Sequence, residues 1–154
     1  MGNAADRNSS KEVARQSARD GARPMKIIFP IARVLLGLLF LTFGLNGFLH
    51  FIPAPRPTGV PGQFVGAMYV SHYLAVVWLV QIVGGALLVI NRYVPAALNT
   101  LGPVLVNIIL FHTTMSPVGF GPAVIAVALW VIVFYPERTA FRPLMAAKPV
   151  TSSD

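Results

Sequence analysis

Residues 33–51 read RVLLGLLFLTFGLNGFLHF, and this stretch decides the class of the protein. From Val34 to Ile52 the chain is built mainly of Val, Leu, Ile and Phe, long enough to cross a hydrocarbon core that needs about 20 helical residues. Each such residue favours insertion by roughly 0.3 to 0.6 kcal/mol, so one Asn or His near the end does not reverse the balance. Within the stretch, Thr42, Asn46 and His50 recur at four-residue spacing and share one helical face. Gly37 and Gly44 fall on roughly the opposite face, where small residues let a second helix approach.

Outward from this segment the same character continues. The 154-residue chain is 55% hydrophobic and only 11% charged. Its mean hydropathy of +0.68 lies outside the soluble range. Three further apolar runs follow, and the predicted spans are about 27–52, 72–90, 94–113 and 118–135. The expected fold is therefore all-α, an integral membrane four-helix bundle over residues 27–140. Gln81 is the one strongly polar residue of the second span, while the third carries Asn99, Thr100 and Asn107 and should kink at Gly102-Pro103, where a backbone hydrogen bond is lost. Between the first two spans, Pro53, Pro55, Pro57 and Pro61 make a stiff connection, after which Gln63 to Ser71 forms either an interfacial helical turn or an extension of the second span.

Charge orients the bundle. Arg7, Lys11, Arg15, Arg19, Arg23, Lys26 and Arg33 precede or open the first span, Arg92 sits between the second and third, and Arg138, Arg142 and Lys148 follow the fourth. Only Arg56 lies on the other side, which by the positive-inside rule gives N-in and C-in. Residues 1–26 read as a disordered basic arm drawn to anionic membrane lipid, and 141–154 as a cytoplasmic tail. The net charge of +7 does not indicate nucleic-acid binding, because the aromatic residues stand in the apolar segments and not among these charges. Some two dozen polar residues precede the first apolar run, so that run is expected to be retained rather than cleaved as a signal. Arg33 is expected to snorkel to the cytoplasmic headgroups, Tyr73, Tyr93 and Tyr135 to anchor span ends, and Trp78 and Trp130 to pack.

With no cysteine there is no thiol redox centre, disulfide or thiolate-held metal, and no intrinsic cofactor is expected. In the predicted topology His50, His72 and His112 all lie near the outer surface, and three imidazoles at one level raise an alternative metal-site reading. Helical phase weighs against it, since His72 points away from Gln81 and His112 away from Asn107. Polar residues inside spans should turn inward and find partners, because unpaired amides are costly in hydrocarbon. Two readings follow: helix-to-helix glue, or a ligand pocket in the outer half of the bundle formed by Asn46, Gln81 and Asn107, with His50 and His112 at its mouth.

The stretch 33–51, the Pro-rich loop, QIVGGALLVINRYVP (81–95) and GPVLVNIILFH (102–112) together resemble the DoxX family of bacterial four-helix membrane proteins. The likeness covers about residues 30–142 and rests on the ordered combination. It implies residence in the bacterial cytoplasmic (inner) membrane and an accessory or small-molecule-binding role beside a quinone-linked membrane oxidoreductase, with other subunits of that system as partners and a quinone or another lipid-soluble molecule as ligand. Many relatives place a glutamate before the paired glycines of the second helix, where this chain has Gln81 before Gly84-Gly85. A small-solute carrier and a purely structural subunit are the competing readings. An autonomous enzyme is disfavoured, since the spans contain no carboxylate, thiol or nucleophile-base pair.

Overall fold

A computed structural model describes residues 4–53 and 55–145. Among these residues every regular element is helical: α1 (Ala4–Leu49), α2 (Gly59–Val70), α3 (Tyr73–Val89), α4 (Val94–Thr114), α5 (Phe120–Glu137) and a closing 3-10 helix (Arg138–Met145). The chain divides into two units, residues 1–31 and 32–154.

The first unit contributes the opening of α1, which is helical from Ala4 onward. The disordered arm expected over 1–26 is thus corrected. Ala, Arg, Lys, Glu and Gln, all good helix formers, recur through this stretch. Of the tail assigned to 141–154, residues 141–145 belong to the 3-10 helix and the remainder lies outside the described residues.

In the second unit, the four long helices contribute to one hydrophobic core. Leu36 and Phe40 of α1, Leu88 of α3, Leu98, Leu101 and Leu105 of α4, and Ala126 and Val133 of α5 are all buried there. Glycines set the α1–α3 contact: a methyl group on Gly37 would stand 2.8 Å from the Gly85 carbonyl oxygen, and one on Gly85 would stand 2.7 Å from that of Gly37. The glycine face expected from the sequence is therefore the packed face of α1. Gly47 extends it, lying under the Trp78 indole. Across α4 and α5, Trp130 donates its indole N–H to the Leu98 carbonyl at 3.2 Å, covers Gly102 and stacks on Phe134 at 4.8 Å.

Among the described residues, three helices are long and apolar enough to cross a membrane: Ile27–Leu49, Val94–Thr114 and Phe120–Pro143. A fourth crossing exists if α2 and α3, bent 82° to each other, count as one span. The 17 residues of α3 rise about 26 Å, at the lower end of what spans a core of about 30 Å. The outward residues Leu35, Val76, Val83, Ile125 and Val131 are each at least half exposed, an exterior that suits acyl chains better than water. These features are those of a multi-pass membrane protein.

Candidate functional site

Gln81 is the one buried polar side chain among the described residues, 6% exposed. It sits in the middle of α3, and a methyl group on Gly44 of α1 would stand 3.1 Å from its Cβ. The absence of a side chain on Gly44 lets the longer amide be buried between the helices. Its Oε1 has no hydrogen-bond donor. An unpaired buried acceptor costs about 1–3 kcal/mol, so this atom is the clearest chemical anomaly in the fold.

One helical turn toward the start of α3 from Gln81, aromatic rings of several helices meet. Trp78 meets Phe48 of α1 edge-on at 5.3 Å and Tyr69 of α2 at 6.4 Å. Further along α2, Phe64 stacks on Phe111 of α4 at 6.1 Å. Because α2 is bent away from the α3 axis, it reaches over to α4 instead of prolonging α3. Residues 63–70 thus belong to a helix bent 82° from α3 rather than to a straight extension of it.

The other predicted site residues are placed differently. Asn46 is half-buried, and its Oδ1 accepts the Ile52 N–H at 2.6 Å, closing the turn that ends α1. His50 is exposed with φ +53°, a left-handed residue terminating the helix, and its Nδ1 lies 3.1 Å from the Phe48 carbonyl oxygen. His72, at φ +61°, makes the turn between α2 and α3. His112 is half-buried; its Nδ1 donates to the Ser116 carbonyl at 2.9 Å, and its ring covers Gly119, at φ +88°. Asn107 is exposed, its amide donating to the Pro103 carbonyl one turn earlier on its own helix at 3.1 Å.

Gln81 and Asn107 therefore do not share one buried cluster, and the expectation that polar span residues all turn inward is corrected. A helix buries one face well, and on α1 the glycines claim it. Thr100, Thr113 and Thr114 likewise satisfy their hydroxyls on carbonyls of their own helix, which removes the need to turn inward. Among the described residues no group of three His, Asp or Glu could hold a metal ion, so the three-histidine arrangement is not formed.

Sequence reasoning also missed the role of Arg33. Half-buried, it donates to the Leu88 carbonyl and reaches that of Val89 at 3.5 Å, placing a cation on the carbonyls where α3 ends. The contact joins residues 55 positions apart, and nothing local announces it. Compared with known proteins, the chain matches no family model, no curated protein and no solved structure.

Proposed function

We propose that this protein is a four-crossing membrane module with both ends cytoplasmic, which binds a small lipid-soluble molecule and serves as an accessory subunit of a quinone-linked oxidoreductase in the bacterial cytoplasmic membrane. The observation that carries the binding reading is Gln81, an amide held in an apolar interior with its carbonyl oxygen lacking a donor. A ligand hydroxyl would relieve that cost. An amide can also turn end over end, exchanging acceptor for donor, and a hydroxyl satisfies either orientation. Within a quinone couple the hydroxyl-bearing partner is the quinol, so the reduced form is the expected occupant. The redox setting comes from the resemblance of residues 30–142 to the DoxX family. The chain itself supplies binding and position, since it has no thiol to carry electrons and Glu137, the carboxylate within the last apolar helix, stands at the end of α5.

The test is extraction of the full chain in mild detergent, with mass spectrometry of the lipid-soluble molecules and proteins that accompany it. A hydroxyl-bearing ligand is expected with the wild-type chain and should be lost from Gln81→Leu, while circular dichroism shows the fold intact. The leucine variant should also be as stable as the wild type or more so, because it removes an unpaired buried acceptor. A folded Gln81→Leu protein carrying the same ligand at the same occupancy would refute the assignment.

A further inference from the structure

The outward faces of the helices differ in one respect. Those of α3 and α5 are apolar within the spans, through Val76, Leu79 and Val83 on one and Val124, Ile125, Ala128 and Val131 on the other. On α1, Leu35, Leu38, Phe43, Leu45 and Phe48 are interrupted only by Thr42. On α4 the exposed face carries Asn99, Thr100, Asn107, Thr113 and Thr114 beside Pro103, Val106 and Leu110. The three threonines are satisfied on their own helix. Asn99 lies five residues from the start of α4, within reach of headgroups. Asn107 has no such outlet. It is three residues from the centre of the 21-residue helix, about 4.5 Å along the axis, and thus deep in the hydrocarbon of any membrane that α4 crosses. Its bond to the Pro103 carbonyl uses one N–H, leaving the second N–H and the Oδ1 without a partner among the described residues.

We infer that α4 is a self-association surface, on which two copies of this chain pair in the membrane with their Asn107 side chains in reciprocal hydrogen bonds. This rests on the reading that α4 spans a membrane. Three features select a second copy as the occupant. An amide with one donor and one acceptor unspent is complementary to itself, so a two-fold axis through the face satisfies both residues at once. The face carries no charge, so no charged partner is called for. Val106 and Leu110, 59% and 53% exposed, flank the amide and supply apolar contact at the same level. Polar side chains of this kind are what joins helices in lipid, where apolar burial gives no drive.

The experiment reconstitutes the full chain in phosphatidylcholine vesicles, labelled with donor and acceptor dyes on a cysteine introduced as Arg92→Cys in this cysteine-free protein. Energy transfer above random proximity is expected at high dilution in lipid. Asn107→Leu should weaken association about tenfold, from the loss of two interhelical hydrogen bonds, and Asn107→Gln should largely retain it. Independently of any variant that disturbs association, Val106→Cys should form an oxidative cross-link between copies, and Val131→Cys on α5 should not. Chains that insert yet show only random transfer, an Asn107→Leu protein that associates as the wild type does, or a Val106→Cys protein linking only to some other protein in cells would each overturn the inference. Chains that fail to insert at all would overturn the membrane reading with it.

Discussion

Replacing Gly85 with alanine places a methyl group 2.7 Å from the Gly37 carbonyl oxygen and 2.9 Å from the Leu41 nitrogen. Both obstacles are backbone atoms, so no side chain can swing aside and α1 must move away from α3. Such overpacking costs about 1–3 kcal/mol. Alanine also favours the helix over glycine by about 1 kcal/mol, which offsets part of the loss. Gly66→Ala is the natural reference, because a methyl group there meets nothing within 4 Å and only the propensity gain remains. That gain cancels between the two variants, so Gly85→Ala should be less stable than Gly66→Ala by about 1–3 kcal/mol. Unfolding of detergent-solubilised protein by increasing SDS, followed by far-UV circular dichroism, measures the difference. Equal stability of the two variants would mean that α1 and α3 do not meet through their glycines.

Arg33→Met keeps the apolar stem but removes the cation from the end of α3, and the same unfolding assay should show a loss of about 1–2 kcal/mol, partly restored by Arg33→Lys; an unchanged midpoint would assign Arg33 to headgroups instead. Gly119→Ala places a methyl group 2.9 Å from the His112 ring in a left-handed backbone position, and should cost about 1–2 kcal/mol, whereas Gly121→Ala, with nothing within 4 Å, should not destabilise. Equal unfolding of these two glycine variants would show that the α4–α5 turn tolerates a side chain.

The apolar spans were legible because each is a continuous run whose ends are marked by Pro, Gly or charge, and the helices over 27–49, 73–89, 94–114 and 120–137 lie close to the expected boundaries. The facing of the polar residues was less legible. Thr42, Asn46 and His50 form a stripe in the sequence, yet Asn46 serves the turn to Ile52 and His50 ends the helix in a left-handed conformation. The signal that points to this is positional: His50 and His72 stand where apolar runs stop, and Asn and His are enriched among left-handed residues that are not glycine. Gln81 was singled out correctly as the buried amide of its span, because it alone interrupts an otherwise unbroken apolar helix. The Arg33 contact and the Trp130 bond to Leu98 depend on which helices are neighbours, and a single sequence does not carry that information.

A true crossing by α3 separates four spans from three and sets Gln81 inside the membrane. Arg56 and Arg92 flank the α2–α3 pair and are both exposed. Single cysteines introduced as Arg56→Cys and Arg92→Cys can be labelled in intact cells with a membrane-impermeant maleimide, before and after lysis. The cysteine at position 56 should react from outside and the one at position 92 only after lysis. Reaction of both from the same side would contradict the crossing, reducing α2 and α3 to a re-entrant pair that never crosses.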